Sequence, residues 1–180
     1  MRSSPRKVSS EEELYAAALR ALMRRAHSRY EMRAYLERRA EEEKMVPRVL
    51  ARLREKGYLD DARFALDYAR QHALARRQGR FRIARELRAR GVPDHEIEAA
   101  LDAVFAETDE AALVRARLRR KLAQVRGPLD QRRLASLYRS LLAAGFSADV
   151  IRTEIRALTR KAADAQDYHD PPELSVEDET

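Results

Sequence analysis

Apolar residues recur three or four positions apart along most of this 180-residue chain, the spacing of one face of an α-helix. The stretch containing Phe81, Ile83 and Leu87 shows the pattern clearly. No segment alternates apolar and polar residues over the length of a β-strand. Alanine, arginine, leucine and glutamate dominate the chain, and all four are strong helix formers. The pattern therefore predicts an all-α fold.

The helical pattern repeats with a period of about 50 residues, as in repeat proteins. A glycine turn at residues 91–93 follows the central stretch, and a further apolar helix follows that turn. The matching positions 51 residues earlier are Tyr30, Met32 and Leu36. In the third copy Ile83 matches Leu134, and a three-residue insertion precedes the glycine turn at residues 145–147.

Each copy also has a helix ahead of this pair, at about residues 11–26, 60–74 and 109–124. The chain is therefore predicted to form three tandem three-helix repeats, stacked as an elongated, curved array. The repeats span residues 10–58, 59–107 and 108–160. The basic segment 1–9 and the acidic tail 161–180 are predicted to be disordered, because neither has enough apolar residues to offset its ordering entropy.

The joint between the first two repeats carries the most informative signals of the chain. Gly57 stands where the preceding helix needs a left-handed terminal residue. Asp60 is a good N-cap for the next helix, with Asp61 in its first turn. Leu59 and Phe64 have the spacing of a hydrophobic staple. The predicted structural joint comprises Gly57, Leu59, Asp60, Asp61, Arg63 and Phe64.

Charge is unevenly distributed along the chain. Residues 161–180 contain seven acids and one lysine, a net charge of −6. Because the whole chain has a net charge of +7, residues 1–160 carry +13. A body this basic is expected to attract polyanions such as nucleic acid. The excess of arginine, 32 against five lysines, can also reflect genome composition.

The candidate binding residues are the cations on the predicted helix faces. They are Arg25, Arg29, Arg70, Arg77, Arg80, Arg82, Arg85, Arg88, Arg117, Arg120, Lys121 and Arg132. The alternative for any one of them is a solvated face, or a pair with a nearby acid such as Glu86 or Asp67. The aromatic residues Phe64, Tyr68 and Phe81 lie on apolar stripes and are expected in the core.

Catalytic chemistry has little support in this sequence. The chain has no cysteine, and its histidines are scattered without a metal-ligand spacing. The pair Asp60-Asp61 is explained by helix capping, and no phosphate-binding glycine loop occurs. We therefore expect no catalytic residue, no metal site and no cofactor. No apolar run reaches the length of a membrane span or a secretory leader, which favours a cytoplasmic protein.

Several segments resemble the RecX family of bacterial regulatory proteins. Residues 57–65, Gly-Tyr-Leu-Asp-Asp-Ala-Arg-Phe-Ala, are similar to the signature of that family. Its other elements resemble residues 28–32 in the first repeat, 79–92 in the second and 142–146 in the third. The resemblance covers about residues 11–160 in order. One departure is residues 39–42, Arg-Ala-Glu-Glu, where the family usually has a glycine.

This resemblance implies a tandem three-helix protein that is not an enzyme. It implies binding to RecA and inhibition of RecA filaments on single-stranded DNA, which lowers recombinase, ATPase and co-protease activity in DNA repair and the SOS response. The partners implied are the RecA filament and the single-stranded DNA within it, and the protein is expected to be a monomer. The alternative from the helix pattern is a helix-turn-helix regulator that binds DNA directly.

Overall fold

The computed structural model describes residues 7–124 and 129–167, with side chains to residue 160. This part of the chain is helical throughout, which confirms the all-α prediction. Its nine helices are α1 (Glu11–Arg24), α2 (Arg29–Glu37), α3 (Met45–Glu55), α4 (Asp61–Leu74), α5 (Arg80–Arg88), α6 (Asp94–Glu107), α7 (Glu110–Leu122), α8 (Gln131–Ala143) and α9 (Ala148–Asp167).

Local signals set most helix boundaries. Ser10 caps α1, and Ser28 forms a capping box with Glu31 at the start of α2. Gly91 and Gly145 end α5 and α8 with φ values of 69° and 88°, a left-handed conformation that favours glycine. These caps separate the helices by short turns.

The helices pack in three groups of three, and each group has its own core. We call these groups units 1, 2 and 3, comprising α1–α3, α4–α6 and α7–α9. The helices of each unit pack mainly on one another. Fully buried side chains at the centres of the three cores include Leu14, Met32 and Leu53; Ile83, Leu87 and Ile97; and Val114, Leu141 and Ile151.

The third unit corrects the predicted alignment of the repeats. Leu134, predicted to match Ile83, is half-buried, whereas Leu137 is 6% exposed and Leu141 is fully buried. Counting back from the glycine turns, Leu137 and Leu141 match Ile83 and Leu87. The helix α8 has 13 residues and α5 has nine, so the insertion adds a turn to the start of α8.

Successive units meet through one repeated contact. The second helix of each unit points its N-terminus at the turn between the second and third helices of the next unit. At the first junction the Oγ of Ser28 donates to the carbonyl of Arg90 at 2.5 Å. At the second junction the N–H of Gly79 donates to the carbonyl of Ala144 at 2.9 Å. The two junctions are therefore built on equivalent positions.

Glycine is required in both of these turns because the preceding unit approaches so closely. A Cβ on Gly91 would overlap the ring of Tyr30 in unit 1. A Cβ on Gly145 would overlap the backbone and Cβ of Arg82 in unit 2. These glycines serve the contact between units as well as the end of a helix.

In unit 1 the segment before α1 contacts the corresponding turn, between α2 and α3. The N–H of Val8 donates to the carbonyl of Arg39 at 2.8 Å, and the N–H of Glu41 donates to the carbonyl of Val8 at 3.0 Å. Val8 and Ala40 form an isolated parallel bridge. Ala40 stands where the other units have glycine, and its φ is not positive. The turn at residues 39–42 therefore does not require glycine.

Two predictions about the chain ends change. Disorder over residues 1–9 is wrong at Val8, because its backbone is paired on both sides. Disorder over 161–180 is wrong for residues 161–167, because α9 continues to Asp167. The remainder of both predictions, residues 1–6 and 168–180, lies outside the described residues.

Candidate functional site

The joint between α3 and α4 folds as the sequence predicts. Gly57 follows α3 with a φ of 72°, and the N–H of Tyr58 donates to the carbonyl of Leu53. Asp60 is the N-cap of α4, and its carboxylate accepts the N–H of Arg63 at 3.1 Å. A helix stop is therefore followed within three residues by a helix start.

Asp61 has a second role that the sequence did not reveal. It is only 7% exposed, and its carboxylate accepts the N–H of Arg29, the first residue of α2, at 2.8 Å. Burial raises the pKa of Asp61, although this hydrogen bond opposes the rise. The two adjacent aspartates thus serve two units, since Asp60 caps α4 and Asp61 binds the start of α2.

Leu59 and Phe64, the predicted staple pair, pack in the cores of different units. Leu59 is 2% exposed and belongs to the core of unit 1. Phe64 is half-buried and packs against the core of unit 2. Each side chain therefore anchors the joint to a different unit.

This packing determines the expected effects of substitution at the joint. Because Phe64 is only half-buried, Phe64→Ala should lower the free energy of unfolding by about 1.5–3 kcal/mol, less than a fully buried phenylalanine. Asp60→Ala should lower it by about 0.5–2 kcal/mol through loss of the cap, and Asp60→Asn should retain most of it. Urea unfolding followed by circular dichroism measures both. Unchanged midpoints for both alanine variants would refute these roles.

A chain of charged and aromatic side chains crosses the first junction. Glu31 accepts hydrogen bonds from Arg25 at 2.8 Å and from Arg90 at 2.6 Å. The guanidinium of Arg90 lies 5.1 Å from the ring centroid of Tyr68, whose hydroxyl donates to Glu86 at 2.7 Å. Burial disfavours ionisation of Glu31, but Arg25 and Arg90 hold its pKa below the usual value. The network links α2 of unit 1 to α4 and α5 of unit 2.

The predicted binding cations divide into two classes. Four are in ion pairs: Arg25 with Glu31, Arg80 with Asp102, Arg82 with Glu86 and Arg88 with Asp94. The side chains of the other eight form no ion pair with a carboxylate in the described part of the chain: Arg29, Arg70, Arg77, Arg85, Arg117, Arg120, Lys121 and Arg132. Arg82, Arg85 and Arg88 recur every three residues on α5, and of these three only Arg85 is exposed and without an ion pair to a described residue.

The second junction brings together four of the predicted residues. The Nη1 of Arg117, on α7, donates to the carbonyl of Arg77 at 3.3 Å. The positive charges of Arg120 and Arg82 act on Arg117, whose pKa is lowered first by burial and then by these two charges. We call Arg77, Arg82, Arg117 and Arg120 the junction cluster.

A cleft of about 410 Å³ opens beside the first junction. Its cationic rim consists of Arg29, Arg33 and Arg54, none of which is in an ion pair with a described residue. Tyr30 also lines it, and its apolar lining includes Pro47, Leu50, Ala51, Leu59 and Pro93. The cleft combines positive charge with an apolar floor.

The aromatic residues only partly follow the prediction. Phe64 and Tyr68 are half-buried against the core of unit 2. The prediction for Phe81 is wrong, because this side chain is 61% exposed at the start of α5. Its repeat equivalent, Tyr30, is 60% exposed at the start of α2. Units 1 and 2 thus each present an aromatic ring next to arginines.

Among the residues that the structure describes, no group of three or more acidic or histidine side chains is arranged to bind a metal ion. None of their helices has both the length and the apolar character needed to cross a membrane. His72 is 3% exposed. Its Nδ1–H donates to the Oε1 of Gln78 at 2.7 Å, and its ring stacks on that of Tyr68.

Units 1 and 2 each match a known family model. Residues 15–53 match the model described as RecX, first three-helix domain, and residues 60–101 match RecX, second three-helix domain. "Regulatory protein RecX" of Halorhodospira halophila is 40% identical over 164 residues, covering 91% of this chain and 96% of the relative. The protein of that name from Leptothrix cholodnii is 35% identical over 157 residues, covering 87% and 93%.

Solved structures agree with the fold. The crystal structure of RecX from Lactobacillus salivarius superimposes with a TM-score of 0.69 at 23% identity, covering 83% of this chain and 97% of that one. A second crystal structure of regulatory protein RecX gives a TM-score of 0.72 at 23% identity. Tandem three-helix domains make this chain an all-helical repeat protein. The chain belongs to the RecX family of regulatory proteins.

Proposed function

We propose that this chain binds RecA filaments on single-stranded DNA and inhibits them. Inhibition would lower the recombinase, ATPase and co-protease activities of RecA in DNA repair and the SOS response. The proposal rests on the signature segments that resemble the RecX family. The structural observation that supports it most is the set of exposed arginines in units 2 and 3 with no described carboxylate partner.

The charge of the chain is suited to such a partner. A RecA filament on single-stranded DNA carries a regular series of phosphates, and unpaired guanidinium groups gain affinity by releasing counterions from them. Three units in series can contact more than one position along a filament. In this proposal the chain acts as a cytoplasmic monomer, without a cofactor, and contacts both RecA and DNA.

Co-sedimentation separates this proposal from direct regulation of DNA. The purified chain should pellet with RecA filaments assembled on single-stranded DNA. Without RecA, its binding to DNA should be weak, indifferent to sequence and steeply weakened by salt. Failure to pellet with filaments, together with tight sequence-selective binding to duplex DNA, would instead support a direct helix-turn-helix regulator.

A further inference from the structure

Arg117 is a half-buried cation that lacks a counter-charge among the described residues. Its Nη1 donates to the carbonyl of Arg77 at 3.3 Å. Its Nε is buried and meets no acceptor in the part of the chain that the structure describes. Because a guanidinium has five N–H donors, most of the hydrogen-bonding capacity of Arg117 is unused within this region.

The surroundings of Arg117 increase the positive charge. Arg77 and Arg120 are exposed and pair with no described carboxylate. Arg82 pairs with Glu86 at 2.8 Å. Burial, followed by the charges of Arg120 and Arg82, lowers the pKa of Arg117, as expected for a cation among cations. The junction cluster therefore holds the guanidinium groups of Arg82, Arg117 and Arg120, one partner carboxylate and the backbone carbonyl of Arg77.

The backbone at this place is also unusual. Arg77 has a φ of 49°, the one non-glycine residue of the described chain in the left-handed region. That conformation costs an L-residue stability, and a partly buried cation without a counter-charge costs more. Strained backbone and unpaired polar groups of this kind concentrate at binding sites, where a ligand compensates for them.

We propose that the junction cluster is a binding site for a phosphate group, with Arg117 as the central ligand and Arg120 beside it. Phosphate suits the site because its several oxygens can accept from more than one guanidinium at once. A single carboxylate would leave most of these donors unused. The assignment deepens the proposed filament interface by placing a DNA phosphate at the second junction. Its test uses no RecA, so the two proposals can fail separately.

Thermal unfolding in phosphate and in chloride at equal ionic strength tests the site. Phosphate should raise the Tm of the unaltered chain, because a ligand that binds only the folded state stabilises it. Arg117→Met should abolish that rise. In chloride the same variant should have a Tm about 2–4 °C higher than the unaltered chain, because it removes an unpaired, partly buried charge.

Arg119→Met is the matched control, since Arg119 is exposed on the same helix and lines a different groove. It removes the same charge and should retain the full phosphate effect. Arg120→Gln, at an exposed position, should reduce the phosphate effect by about half without loss of folding. No phosphate-specific rise in the unaltered chain, or equal rises in all variants, would overturn the site.

A labelled oligothymidylate identifies the source of the phosphate. Arg117→Met should weaken its binding about 5–10-fold in low salt, and free phosphate should compete. If oligothymidylate binding is unchanged while the phosphate effect is lost, the site binds a free phosphate compound. If polyglutamate stabilises the chain and phosphate does not, the missing counter-charge is a protein carboxylate and the phosphate assignment is wrong.

Discussion

Gly145→Ala should lower the free energy of unfolding by about 2–5 kcal/mol. Gly145 has a φ of 88°, which costs a residue with a Cβ about 1–2 kcal/mol. The added Cβ would also overlap the backbone of Arg82 in the preceding unit, and relieving such an overlap typically costs about 1–3 kcal/mol. Equilibrium unfolding in urea measures the sum.

Two other glycines separate these contributions. Gly57 has a φ of 72°, but nothing lies within 4 Å of an added Cβ, so Gly57→Ala should cost only about 1–2 kcal/mol. Gly79 has an ordinary φ of −81°, but its Cβ would overlap the carbonyl of Gly145, so Gly79→Ala should cost about 1–3 kcal/mol. If Gly145→Ala costs no more than Gly57→Ala, units 2 and 3 do not meet as described.

Simultaneous replacement of Arg77, Arg85 and Arg120 by alanine should weaken inhibition of RecA about 100-fold at low salt. All three side chains are exposed and pair with no described carboxylate, so their removal should leave the fold intact. Each lost contact with a phosphate or an acidic surface is worth on the order of 1 kcal/mol, and three together give about two orders of magnitude. The inhibitor concentration that halves RecA activity measures the effect.

A second triple variant controls for net charge. Arg20, Arg38 and Lys56 are exposed on unit 1, outside the predicted binding residues. Their replacement by alanine removes the same three charges and should change inhibition less than about 3-fold. Equal losses in the two variants would mean that overall charge, and not the face on units 2 and 3, determines inhibition.

Signals confined to a few neighbouring residues were predictable from the sequence. The helix stop at Gly57 and the cap at Asp60 depend on contacts within about four residues, and the structure has both. The period of the repeats was also readable, because Met32 and Ile83 are both fully buried at equivalent places. Local chemistry and periodicity therefore predicted the three-helix architecture.

Contacts between distant parts of the chain were not predictable in this way. Asp61 binds the N–H of Arg29, 32 residues earlier, and Ser28 binds the carbonyl of Arg90, 62 residues later. The exposure of Phe81 depends on its place at the edge of the core, which its apolar character does not reveal. The same holds for the arginines, because the paired or unpaired state of each depends on carboxylates on other helices.

The central claim is that this chain inhibits RecA filaments, and RecA-catalysed ATP hydrolysis on single-stranded DNA tests it most directly. The hydrolysis rate should fall as the purified chain is added, and inhibition should be evident at ratios to RecA between substoichiometric and comparable. An unchanged rate at large molar excess, in low salt, would contradict the claim.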